Sequence, residues 1–75
     1  MSIEKLLALL TDLHPEIDFS THTALIDEGV LDSFDIVTII ADIDDAYGAA
    51  IPAEEIVPEN FNSAQALFAL IKRLT

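Results

Sequence analysis

Asp32-Ser33-Phe34-Asp35-Ile36-Val37-Thr38-Ile39-Ile40-Ala41-Asp42-Ile43-Asp44-Asp45-Ala46-Tyr47-Gly48 carries the most apolar periodic pattern of the chain. Ile36, Ile40, Ile43 and Tyr47 recur at helical spacing in one stripe, widened by Val37 and Ile39. Asp35, Thr38, Asp42 and Asp45 form the opposite stripe, with Asp44 at its border. This division predicts an amphipathic helix over 33–47. Asp32 is a good N-cap, because its carboxylate can accept from the free N–H groups of the first turn. Gly48 suits the residue just past the helix end, where a left-handed backbone is common. The many β-branched residues lower helix propensity, so packing must hold this helix. Ser33 falls at the first helical position, its hydroxyl toward solvent beside the positive end of the helix dipole. Helix N-termini favour anions, so that hydroxyl is well placed to carry a phosphate ester.

Residues 15–31, which lead into this helix, read as a long connection. Asp18, Ser20, Thr21 and Thr23 favour local side-chain to backbone bonds over helix. Ile17, Phe19, Leu25, Ile26 and Leu31 are expected to pin the segment to the core. A connection this long in so small a domain points to a functional segment. Gly29 stands three residues before the cap, where it accommodates a positive φ or a close backbone approach.

Further upstream, Ile3, Leu6, Leu7, Leu10 and Leu13 share one helical face. Ser2 is the expected cap of this first helix, and Pro15 should stop it near His14. Leu9 lies off the stripe and is expected to pack against a loop. Downstream, Pro52 suits the first position of a short turn through Ile56, and Pro58 restarts the chain in another brief turn. Ile56 and Phe61 are expected to plug the space between the longer helices. Asn62 or Ser63 caps a last helix; with Asn62 as cap, Gln65 stands where a capping box needs it. Ala64, Leu67, Phe68, Ile71 and Leu74 form its apolar face, and Lys72 and Arg73 complement its negative end. No period-2 strand is present, so the expectation is a single all-α domain over 1–75, with antiparallel neighbours where connections are short.

Composition narrows the function. The chain has 75 residues, so it buries only ~60% of its unfolded surface and should be marginally stable. It has no cysteine, hence no disulfide and no thiolate metal site. Its net charge is −11, from 14 acidic and 3 basic residues, which argues against nucleic acid and for docking on a basic partner surface. At 52% hydrophobic it is too apolar for a disordered tail. No stretch suits a membrane span or a signal peptide, and a cytoplasmic monomer is expected.

Gly29-Val30-Leu31-Asp32-Ser33-Phe34 resembles the phosphopantetheine attachment motif of acyl carrier proteins: a glycine, two mostly apolar residues, then Asp-Ser and a large apolar residue. The likeness runs through nearly the whole chain, including the acidic second helix, Tyr47, Ile51-Pro52 and the short helix before the last one. It implies an acyl-carrier-like four-helix bundle, three main helices plus a short third. It also implies that a phosphopantetheinyl transferase attaches 4′-phosphopantetheine from coenzyme A to Ser33, flanked by Asp32 and Phe34. The arm's thiol would hold acyl or aminoacyl groups as thioesters, loaded by an activating ligase and passed to acyl-transfer enzymes. Leu31-Asp32-Ser33-Phe34 and Asn60-Phe61-Asn62-Ser63 look similar to D-alanyl carrier proteins and related stand-alone carriers. Fatty-acid carriers more often have Leu where this chain has Phe34, and more acid where it has Thr38 and Ala46. These differences point away from fatty-acid synthesis and leave the cargo open, whether D-alanyl or secondary-metabolite.

Each of these readings has a blander rival. Asp-Ser before an apolar run is by itself an ordinary helix start. Asp35, Asp42, Asp44 and Asp45 are either a solvated face or an electrostatic docking face. Phe34, Val37, Phe61 and Phe68 read first as core; the functional reading adds that those near Ser33 guide the arm or shelter its cargo. His14 and His22 read as surface or loop histidines without a special role. A calcium loop starting at Asp42 fails, because Ala46 and Tyr47 stand at a ligand position and at the required glycine. A hydrolase using Ser33 fails for want of a nucleophile elbow or a paired histidine. The remaining alternative is an acidic helical interaction module that is never modified.

Overall fold

A computed structural model describes residues 2–75. In order along the chain come α1 (Glu4–Leu13), α2 (Ser33–Tyr47), a 3-10 turn (Ala53–Glu55), α3 (Pro58–Phe61) and α4 (Ala64–Leu74). Among the described residues all regular structure is helical, as the absence of period-2 alternation implies. α1 packs on both α2 and α4, and α3 packs on α4.

Two contacts set the direction of α1 against α2. Lys5 Nζ, near the start of α1, donates to Ala46 O near the end of α2 at 2.8 Å. His14, at the end of α1, meets Asp35 in the first turn of α2 at 2.9 Å. The two helices are therefore antiparallel, although the connection between them is long.

The core takes Leu6 and Leu10 from α1, Ile39 and Ile43 from α2, and Ala64, Leu67, Leu70 and Ile71 from α4. Phe61 of α3 and Phe19, Leu25 and Leu31 of the long connection complete it with Ala49 and Ile51, and among the described residues no polar or charged side chain is buried with them. The apolar residues of the connection thus pin it to the core as expected. Gly29 (φ 72°) and Gly48 (φ 67°) both adopt the left-handed backbone that only glycine takes without strain.

Several local expectations are corrected. Ser2 does not cap α1: Ile3 holds the N-cap position without a side-chain bond, and its carbonyl accepts from Leu7 N at 2.9 Å. Leu9 faces a groove beside Asp42 and Ala46 of α2 and not a loop. On α2 the buried line runs through Ile39 and Ile43, with Ile36, Ile40 and Tyr47 half-buried beside it. Val37 is 66% exposed and does not widen the buried stripe, because α1 and α3–α4 cover only the other side. Ile56 is 40% exposed at the rim, and Phe61 alone plugs the interior. Ser63, and not Asn62, caps α4 by accepting from Ala66 N at 3.0 Å. Gln65 donates instead to Ser20 O.

Candidate functional site

The chain enters α2 on a backbone held at several points. Glu28 N donates to Ala24 O at 2.9 Å, Gly29 N to Ile26 O at 3.0 Å and Leu31 N to Leu25 O at 3.0 Å. Asn62 reaches across from the turn before α4. Its Oδ1 accepts from Ile26 N at 2.9 Å and Asp27 N at 3.1 Å, and its backbone carbonyl accepts from Leu25 N. Leu31 then sinks into the core and Asp32 emerges in extended geometry. The burial of Leu31 sets where α2 begins.

Asp32 is the N-cap, as its residue type predicts. Its Oδ1 accepts from Asp35 N at 2.9 Å, and Asp35 Oδ2 accepts in return from Asp32 N at 3.2 Å. This is a reciprocal capping box. The Asp-x-x-Asp spacing carried that signal, although the acidic pattern of α2 drew Asp35 into a docking stripe. Asp35 Oδ2 also meets His14 Nε2 at 2.9 Å, and His14 Nδ1 meets Glu16 Oε1 at 3.0 Å. His14 is therefore not a free surface histidine: the antiparallel packing brings it to the head of α2. Burial pushes the Asp35 carboxyl up, but the His14 ring and the Asp32 N–H outweigh this and hold it below the ordinary carboxylate range. The Asp35 carboxylate, then Glu16, raise the His14 ring above its usual value. His22 sits in the long connection beside Glu28.

Ser33 stands exposed at the first position of α2, and its hydroxyl takes no part in the capping box. Phe34 follows it at 83% exposure, and Thr38 and Ala41 continue the same open side with Val37. Phe34 and Val37 are thus not core residues. Asp44 and Asp45 are exposed farther along α2, while Asp42 is half-buried. Asp42 and Asp45 line a groove toward α1 with Leu9, Asp12 and Ala46, so Asp35 is set apart from them inside the cap. On the other flank, Ile26, Ile36, Ile56, Val57, Pro58 and Phe61 line an apolar cleft of about 120 Å³ one turn from Ser33. Among the described residues no group of three or more His, Asp or Glu side chains is placed to hold a metal ion. No described helix is long and apolar enough to cross a membrane.

These features fit a tethered phosphodiester. An exposed hydroxyl at a helix start lets an anion sit near free N–H groups and the positive dipole end. The left-handed Gly29 leaves open space where a side chain would otherwise stand. The family model described as the phosphopantetheine attachment site matches residues 2–71, and the chain belongs to that family. No curated protein and no solved structure matches it significantly. It is accordingly a carrier protein bearing a 4′-phosphopantetheine arm, and not an enzyme.

Proposed function

We propose that this chain carries acyl or aminoacyl groups as thioesters on an arm attached to Ser33 and delivers them to partner enzymes. The observation that carries this reading is the exposed Ser33 hydroxyl at the first position of α2, inside the family match. In the attachment reaction the Ser33 oxygen attacks the pantetheine-bearing phosphorus of coenzyme A. A P–O bond to serine forms, the diphosphate P–O bond breaks, and adenosine 3′,5′-bisphosphate leaves. The serine proton passes to a base on the phosphopantetheinyl transferase. The attached arm supplies a thiol, which the cysteine-free chain lacks.

The remaining roles follow from placement. Asp32 and Asp35 hold the helix start that presents the hydroxyl. Phe34 and Val37 offer apolar surface beside it, and Asp42, Asp44 and Asp45 offer negative charge beyond it. A transferase or activating ligase with an apolar spot next to a basic groove suits that order along α2. The 120 Å³ cleft suits a small acyl or aminoacyl group better than a long fatty chain. A free thiol on the arm needs a reducing compartment, which supports the cytoplasm.

Incubation of the unmodified protein with coenzyme A and a broad-specificity transferase tests the reading by intact mass. One phosphopantetheinyl addition is expected, and Ser33→Ala should stay folded and unmodified. An alanine variant that still gains the mass overturns the site. A wild-type chain that never gains it favours the unmodified interaction module.

A further inference from the structure

His14 sits between two carboxylates, with Nδ1 3.0 Å from Glu16 and Nε2 2.9 Å from Asp35. A carboxylate only accepts, and a neutral imidazole has one N–H to give. Both contacts are hydrogen bonds only when the ring is an imidazolium. Loss of the proton leaves one ring lone pair facing a carboxylate. Glu16 is 65% exposed and free to turn into water, whereas the Asp35 side chain is 17% exposed and tied to Asp32 N. The neutral ring would keep a single N–H bond to the Asp35 carboxylate and lose the attraction between opposite charges that the imidazolium adds.

The same Asp35 oxygen closes the capping box around Ser33. We propose that His14 is a positioning residue for attachment at Ser33: as an imidazolium it holds Asp35, and through it the helix start that presents the hydroxyl. This rests on the reading of Ser33 given above. Among the described residues no other basic side chain reaches Asp35, and His22 is on Glu28. Lys5 is at the far end of α2 on Ala46 O, Lys72 lies over the Phe68 ring, and Arg73 is 3.7 Å from Glu55. The charged groups facing the ring are Glu16 from the segment after α1 and Asp35 from α2. Asp12, in the last turn of α1, faces the groove with Asp42 and Asp45 instead.

The sign follows from linkage. The folded His14 value lies above the ordinary 6.5, so its contribution is complete below 6.5 and fades as pH rises through the raised value. The test compares wild type with His14→Gln, which stays neutral, in transferase assays from about pH 6 to about pH 9. Taking the ratio of the two rates at each pH cancels the transferase's own profile. That ratio should be about threefold at the acidic end, the worth of a partly exposed ion pair, and approach one at the alkaline end. A ratio that does not change with pH overturns the proposal. NMR titration of the unmodified protein gives a readout independent of any attachment. The His14 ring should titrate above 6.5 with the Asp32, Ser33 and Asp35 amides following it, and a ring titrating at or below 6.5, or amides that ignore it, also overturns it. If neither protein is modified while the titration behaves as expected, the fault lies in the reading of Ser33 and the positioning role falls with it.

Discussion

Asn62 and Ile26, 36 positions apart, are joined by a 2.9 Å hydrogen bond from the Ile26 N–H to the Asn62 side-chain carbonyl. The same oxygen accepts from Asp27, and the Asn62 amide donates to the Asp27 carboxylate at 3.2 Å. One side chain thus fastens the loop that leads to Ser33 onto the turn before α4. The loop has no ladder of its own to satisfy these N–H groups, so the clamp stands in for secondary structure.

Asn62→Ala should therefore destabilise the protein by about 1–2 kcal/mol, because two backbone N–H groups lose their acceptor. For a domain this small, each kcal/mol lowers Tm by roughly 4–8 °C. Calorimetry of the variant beside wild type measures it. An unchanged Tm would show that water replaces the amide without cost.

Phe34→Ser with Val37→Ser separates stability from recognition. Both side chains are open to solvent, so the folded state should lose no more than about 0.5 kcal/mol at each site. If partners cover this surface, burial of the Phe34 ring alone contributes about 1.5–3 kcal/mol, and kcat/KM for arm attachment should fall by about tenfold or more. Equal kcat/KM for variant and wild type would assign these residues no part in docking the transferase.

Asp42→Lys with Asp45→Lys reverses charge where α2 turns acidic, on a chain whose net charge is −11. Each exposed pair with a basic partner is worth only ~0.2–1 kcal/mol, so the effect should be collective and fall mainly on encounter rate. Modification of Ser33 should slow at low salt, and the gap should close as salt screens the charges. Thermal unfolding should change little or shift upward, since self-repulsion falls. Rates that match wild type at both ionic strengths would reduce this side to a solvated surface.

Asp32 and Gly48 were legible because each acts within a few residues. An N-cap needs only a short acceptor before a helix, and a left-handed end needs only a residue without Cβ. The choice between Asn62 and Ser63 as the cap of α4 was not legible. Both residues suit the role, and Ser63 takes it because the Asn62 side chain is used in the loop clamp. Phe34 and Val37 misled for a related reason. Hydrophobicity predicts burial, but burial requires a neighbouring element, and among the described residues none lies on that side of α2. His14 and Asp35 gave no joint signal, since 21 positions separate them.

By itself the sequence determined where α2 starts and stops, that Ser33 is its first residue, and that a cysteine-free acidic chain of this pattern is a helical carrier. These are matters of local backbone chemistry and motif. Only the tertiary structure decided which side of α2 faces inward, that Asp35 belongs to the cap and not to an open acidic stripe, and that His14 and Asn62 brace the serine's loop. Those outcomes depend on the antiparallel seating of α1 on α2 and on the loop's path over α4. Contacts across 21 and 36 positions arise from packing the whole chain around one core, which no local spacing encodes.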